Sequence, residues 1–409
     1  MVYPAALTNS LSMVSNVSRN GTKMSPYRTD AVKPNSIVVL DFVPNSMIDL
    51  DTLCFHFKGT TSSSAGFVKF PRNIETIIAK IAVELNGLTI STCTNLSDLY
   101  QIMYNLNAGA DATAKRALYQ NGGVQAAPTA NVTGQDFKVQ NFLGFLGTAN
   151  GRILDLGVIG QLRLHLTLES TAVLVRDADA TNESFVLDNL YFTVDTVAVD
   201  DNVYYQAKNN FLASGGIISI PFDSYYSALF NVNSFNQSSR FSVSSQSIDW
   251  ALACFPKNRS IQQVNASTGQ SKYFDYVSQD PSDATKTLST WNFSINNVQL
   301  PQYFCERSEA YPLLLNMMGT SQTMDGGVSP SITSADVWNK YFWCAGVRLD
   351  LLTAPSERTI SGLSTLGTNS TIAFSSTGTG SYSPENLLVF VKTTNTLRIG
   401  SGKTLEIVL

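Results

Sequence analysis

The stretches Glu84-Leu-Asn-Gly-Leu-Thr-Ile90 and Ser294-Ile-Asn-Asn-Val-Gln-Leu300 share one plan. Each is a short strand, a two-residue turn and a returning strand. Asn86-Gly87 is the strongest short-range hairpin signal, and Asn296-Asn297 stands in the same place in the second stretch. A helical spacing follows each: Leu99 and Met103 after the first, Leu314 and Met318 after the second. A second short helix follows in both halves. Each half then ends in long alternating strands, Leu162–Leu168 and Phe185–Val199 in the first, Leu387–Val391 and Thr404–Val408 in the second. Asn86 and Asn296 stand 210 positions apart in a chain of 409, about half its length. The order of elements repeats although the residues do not, which predicts two copies of one all-β domain with helices inserted at the same point.

The strands between these landmarks carry period-two alternation. Leu53, Phe55 and Phe57 share one face of Thr52–Lys58, and Ile81, Val83 and Leu85 alternate up to the Asn-Gly turn. In Leu162–Leu168 four leucines face one way, while Arg163, His165 and Thr167 face the other. In 185–199 the core positions read as Leu187, Tyr191 and Val197. Turn-rich gaps separate these runs, a β-sandwich pattern and not a βαβ one. Four helices are expected: Leu96–Leu106 capped by Thr94 or Asn95, Ala110–Tyr119, Ser308–Met318, and Ala335–Phe342 capped by Ser334. The boundaries follow: an N-terminal arm at 1–35, a first sandwich at 36–199 opening with the strand Ser36–Phe42, a junction at 200–214, and a second sandwich at 215–409. Asn121–Gly134, Gln262–Ser271 and Gly319–Thr333 read as long polar loops.

Composition bounds the function. Hydrophobic residues make up 44% and charged residues only 14%, so the polarity comes from Ser, Thr, Asn and Gln. Mean hydropathy is +0.01 and the net charge is −4, without the basic excess of a dedicated nucleic-acid binder. No apolar run reaches the ~18 residues of a membrane span, and residues 1–35 are polar and lack a secretory apolar core. Cys54, Cys93, Cys254, Cys305 and Cys344 are widely spaced and read as buried small hydrophobes.

The chemical motifs are weak. Gly400-Ser-Gly-Lys-Thr404 resembles the end of a phosphate loop, but Leu397 stands where the earlier glycine belongs. The residues after Lys403 alternate as a strand, so the run reads as a turn between strands. Gly378-Thr-Gly380 has no helix behind it. His56 and His165 lie inside strands, and Asp49 and Asp51 read as a solvated turn before the strand from Thr52. Tyr204-Tyr205 and Tyr225-Tyr226 could pack the halves together, contact a neighbouring subunit or form a sugar platform. The sequons at Asn131, Asn265 and Asn369 are expected by chance in so Asn-, Ser- and Thr-rich a chain. No catalytic, cofactor-binding or metal-binding residue is assigned, and the expectation is a non-enzyme without cofactors.

Arg240-Phe-Ser-Val-Ser-Ser-Gln-Ser-Ile-Asp249, Phe185-Val-Leu-Asp-Asn-Leu-Tyr-Phe-Thr-Val194 and Leu387-Leu-Val-Phe-Val-Lys392, with the repeated strand–turn–strand–helix plan, carry a family resemblance. Over residues 36–409 the chain resembles the double jelly-roll major capsid proteins of tailless icosahedral DNA viruses, a group that includes membrane-containing phages and virophages. The resemblance implies two tandem jelly-roll sandwiches with short inserted helices, and a homotrimer of pseudo-hexameric outline tiling a virion shell. It implies neighbouring capsomers, penton and minor capsid proteins as partners. It also allows contact with an internal membrane through the N-terminal arm, although the arm shows no obvious amphipathic pattern here and the resemblance does not decide whether such a membrane is present. The location implied is the virion, after synthesis in the host cytoplasm, with no sequence-specific nucleic-acid contact. The other classes considered are a tandem-sandwich carbohydrate-binding or carbohydrate-active protein, which should expose aromatic platforms and a carboxylate pair in one groove, and a cell-surface or fibre-type structural protein, which should carry a secretion signal or anchor.

Overall fold

The computed structural model describes residues 17–107, 127–149, 152–199, 202–318, 332–350, 362–367, 370–400 and 404–408. The expected helix Ala110–Tyr119, residues 121–126 and 319–331 of the expected loops, Asn369 and Lys403 lie outside them.

The first half contains β1 (Val17–Met24), β2 (Ile37–Asp41), β3 (Met47–Ser62), β4 (Val68–Lys69), β5 (Ile78–Leu85), β6 (Leu88–Cys93), β7 (Gln135–Val139), β8 (Ile153–Asp155), β9 (Leu162–Leu168), β10 (Val175–Arg176) and β11 (Ser184–Val199). The second contains β12 (Ile218–Val232), β13 (Gln237–Ser242), β14 (Ile248–Cys254), β15 (Val264–Asn265), β16 (Gln270–Ser271), β17 (Gln279–Asp280), β18 (Asp283–Ile295), β19 (Val298–Glu306), β20 (Cys344–Arg348), β21 (Thr371–Thr379), β22 (Glu385–Ile399) and β23 (Leu405–Val408). The helices are α1 (Leu96–Asn107), α2 (Phe145–Thr148), α3 (Leu156–Ile159), α4 (Asn202–Ala213), α5 (Ala310–Met317) and α6 (Ala335–Tyr341).

Two sheets form each half, in the same order. The first half pairs β1-β11-β3-β7 and β2-β9-β5-β6, and the second pairs β12-β22-β14-β20 and β13-β21-β18, with β19 on the far side of β18. Replacing each first-half strand by its counterpart in chain order converts one list into the other, so each half is a jelly roll and the fold is all-β. The two hairpins that opened the sequence reading occupy equivalent places. Asn86 and Gly87 have φ of 52° and 82°, and Asn296 and Asn297 have 52° and 64°. Positive φ at both central residues gives the turn the twist of its flanking strands, and Asn and Gly adopt it most cheaply.

Alternation places the cores. Leu162, Leu164, Leu166 and Leu168 are all buried, as are Leu53, Phe55 and Phe57. Phe55 stacks on Phe192 at 4.6 Å, and Phe137 meets Phe57 and Phe70 at 5.5 and 5.0 Å. In the second half Phe374 contacts Phe293 at 5.1 Å and Phe255 at 6.0 Å. The five cysteines are buried free thiols.

Four local expectations need correction. The first strand is β1, not Ser36–Phe42: Val17–Met24 pairs along β11, so part of the segment read as an arm joins a sheet. Its polar side chains lie at an edge held by backbone bonds, which leave no apolar pattern to read. Tyr191 is not a core residue. Asn189, at φ 53°, sits where the β11–β3 register shifts, and the inward phase passes from Leu187 to Leu190 and Phe192. Such a bulge moves every later side chain to the opposite face. Asp49 and Asp51 lie inside β3, which starts at Met47. The junction is the helix α4, followed by Gly215 at φ 84°.

Candidate functional site

The two jelly rolls meet along a seam built around α1. Its helical spacing buries Leu96, Leu99 and Leu106, and its other side carries Ser97, Asp98, Gln101 and Asn105, also buried. Their partners come largely from the second half. The Arg259 guanidinium donates to both Asp98 carboxylate oxygens at 3.0 and 2.9 Å, and the Tyr276 hydroxyl donates to the same carboxylate at 2.9 Å. Arg259 also lies 5.2 Å from the Tyr273 ring centre. Gln101 donates to Gln270 at 2.8 Å and to Asn105 at 3.1 Å, while accepting from Asn73 at 2.9 Å. Ser97 donates to Glu169, whose carboxyl is pushed above its ordinary value by burial.

The seam continues along β12. Thr94 and Asn95, expected as helix caps, hydrogen-bond Ser227 at 2.6 and 2.9 Å. The Asp223 amide donates to Thr148 at 2.8 Å, and Phe145 meets Phe222 edge-on at 5.2 Å. Gln262–Ser271, expected as a polar loop, forms the β15–β16 hairpin with Asn265 and Gln270 buried. Asn265 donates to both Asp275 carboxyl oxygens, at 3.1 and 2.9 Å, and burial raises that carboxyl to about 8. The Asn265 amide is therefore engaged inside the protein and is no glycan acceptor in this fold. Buried polar groups hold one orientation because each lost partner costs desolvation, so the seam ties the two halves through specific buried contacts.

The residues tested for chemistry do not converge. His56 bonds Thr193 at 2.9 Å and stacks on Tyr191, and His165 faces Glu84 at 3.2 Å on a different sheet. Asp49 pairs with Arg19 at 2.7 Å and Asp51 with Arg152 at 2.5 Å, so each carboxylate has its own cation. Gly400 and Thr404 close a turn through a 3.0 Å backbone bond between antiparallel β22 and β23. Gly378 lies within β21. Tyr204 is buried against Met47, Val197 and Val199 and donates to Asp155 at 2.9 Å. Tyr225 is buried near Trp250 and Tyr226 is half-buried; of the four tyrosines only Tyr205 is exposed, which is no aromatic platform. Among the described residues no group of three or more His, Cys, Asp or Glu could hold a metal, and no helix is long and apolar enough to cross a membrane.

The outer surface carries what sequence reasoning missed. Leu88 and Val298 each follow the turn of an equivalent hairpin and are 45% and 55% exposed. On β19, which among the described residues pairs with β18 alone, Tyr303 and Phe304 are also about half exposed. The alternation expected of a half-buried strand gives no warning, because here both faces meet solvent.

A tandem pair of jelly rolls joined by a buried seam is the double jelly-roll fold of viral major capsid proteins. Among solved structures, the chain superposes on VP54 of the virus PBCV-1 with a TM-score of 0.62 at 14% identity, covering 95% of this chain and 96% of that one. The Faustovirus major capsid protein gives 0.59 at 10% identity over 93% and 90%, and a chain of the Sputnik virophage gives 0.60 at 10% over 96% and 88%. No family model and no curated protein matches the sequence.

Proposed function

We propose that the chain is the major capsid protein of an icosahedral virus, three copies of which form a pseudo-hexameric block that tiles the shell. The observation that carries this is the repeated strand order: two jelly rolls of one topology, fixed side by side, in a fold shared with capsid proteins over nearly the whole chain. Two similar towers per subunit give six per closed trimer, the outline that tiles a hexagonal net. The seam suits that use, since a shell unit must present both towers at a constant angle. The division is a first sandwich that takes in β1 and runs to 199, a junction at 200–214 and a second sandwich at 215–409, with the arm shortened to the residues before Val17. The role is structural and not enzymatic, and the location is the virion. Partners are other copies, neighbouring capsomers, and penton and minor capsid proteins.

The edge residues Leu88, Val298, Tyr303 and Phe304 are natural contact positions. A stable trimer should bury more than ~2,000 Å² per contact and cover apolar and aromatic side chains. Light scattering with negative-stain imaging of the purified chain tests the reading. A trimer of near-hexagonal outline is expected, and a monodisperse monomer at micromolar concentration refutes it.

A further inference from the structure

The second jelly roll holds a half-buried lysine, its side chain 24% exposed, between two buried carboxylates. Lys392 lies on β22, the strand between β12 and β14. Its Nζ is 3.1 Å from Asp223 of β12 and 3.7 Å from Asp249 of β14. Both placements follow from register. Asp223 stands opposite Thr394, two positions from Lys392 on the same face. Asp249 is the extra residue of a bulge, since Ile248 and Trp250 oppose the consecutive residues Thr393 and Lys392. A bulge re-aims a side chain, and here it turns a second carboxyl toward the lysine. The residues directly opposite Lys392 on the two flanking strands are Tyr225 and Trp250, both buried, with ring centres 5.9 Å apart.

We infer that Lys392 and Asp223 condense to an intramolecular isopeptide bond, with Asp249 as the proton-transfer group. Three conditions meet here. The amine and the acyl carbon's carboxyl are in contact. Both carboxyls are buried, and the buried Tyr225 and Trp250 flank Lys392 on the neighbouring strands, which limits the access of water to the reacting atoms. The third group is biased toward its neutral form: burial first, and to a lesser degree the Asp223 charge, raise the Asp249 carboxyl above its ordinary value against the opposing influence of Lys392. Thr394 and Ser247 hold Asp249 in place by donating to it at 2.8 and 3.1 Å.

The chemistry balances without any co-reactant. The Lys392 ammonium first passes a proton to the Asp223 carboxylate, leaving a neutral amine and a neutral acid. Nζ then attacks Cγ of Asp223 and the Nζ–Cγ bond forms. Asp249 accepts the second proton from Nζ and gives its own to the departing hydroxyl. The Cγ–O bond breaks, one water leaves, and Asp249 ends protonated as it began. The product ties the first strand of the second sandwich to one of its last.

Other lysines lack part of this arrangement. Lys208 contacts the buried Asp155 at 3.1 Å, and among the described residues no second carboxylate is ion-paired to it. Lys286 faces Asp280 and Asp283 at 3.9 and 3.4 Å, but its side chain and that of Asp283 are 37% exposed, so one of its two carboxylates is not buried as both partners of Lys392 are.

Intact-mass measurement of the purified full chain tests the inference. The expected mass is one water below that of the sequence, and a digest should contain one branched peptide joining Lys392 to Asp223. The full sequence mass, or a water lost at any other position, overturns it. Asp223→Asn should shift the loss from one water to one ammonia, because the amide nitrogen becomes the leaving group. Asp249→Ala should restore the full mass while the chain still elutes as the parent does. Undiminished cross-linking in Asp249→Ala removes Asp249 from the mechanism.

Discussion

Asp275 should make the chain weaken as pH rises from about 4 to about 8, through a site remote from the surface. Its carboxyl is buried and accepts two bonds from Asn265, and among the described residues no cation is in salt-bridge contact with it; Lys272 and Lys257 act on it at longer range. Desolvation dominates and raises the group from an ordinary 3.8 to about 8. The unfolded chain releases this proton near its ordinary value, and the folded chain keeps it until about pH 8. Folding therefore takes up a proton between those limits, and stability must fall as pH rises through that window. Each pH unit is worth about 1.4 kcal/mol, so the loss between about pH 6 and about pH 8 is roughly 3 kcal/mol. Above the folded value the loss stops growing. Asp275→Asn keeps an acceptor oxygen for Asn265 and cannot ionise. The assay is the urea midpoint of the parent and of Asp275→Asn across this range. Other titrating groups, Glu169 and Asp249 included, are common to both proteins, so the difference between the two profiles isolates Asp275. The variant should gain on the parent steadily up to about pH 8 and then hold its lead. Parallel profiles would show that Asp275 is ionised in the fold and would refute the reasoning.

Arg259→Ala strands the buried Asp98 carboxylate and should cost about 3–5 kcal/mol in urea unfolding, much of it restored by adding Asp98→Asn. Leu164→Ala, at the centre of a fully buried row, should cost about 2–5 kcal/mol by the same measurement. Asn297→Gly should be tolerated while Asn297→Val is clearly destabilising, because φ of 64° penalises a β-branched side chain; thermal midpoints separate them. Leu88→Glu with Val298→Glu should leave circular dichroism unchanged and shift light scattering toward the monomer, and an unchanged trimer would exclude these hairpins from the interface.

What could be read in the sequence was what is decided locally. Asn86-Gly87 and Asn296-Asn297 state their turns because only residues that accept positive φ fit there, and Leu162–Leu168 states its face because nothing interrupts the period of two. Ser334 was legible for the same reason: its hydroxyl accepts from Val337, three residues on. The misreadings fall where a distant partner decides. β1 is polar and is a strand only because β11, some 170 residues later, offers backbone bonds along its length. Thr94 and Asn95 are sound capping residues by type, yet Ser227 of the other half claims both side chains. Asp98, 161 positions from Arg259, reads as an ordinary first-turn acid until the second half closes over it. The bulges at Asn189 and Asp249 follow the same logic on a smaller scale. Each adds one residue that the local alternation cannot reveal, and each turns a side chain toward a place it would otherwise face away from. The seam and the Lys392 cluster both arise from such long-range decisions. The hairpin repeat discloses the architecture because it is written twice in local code, whereas the chemistry between the halves is written only in their contact.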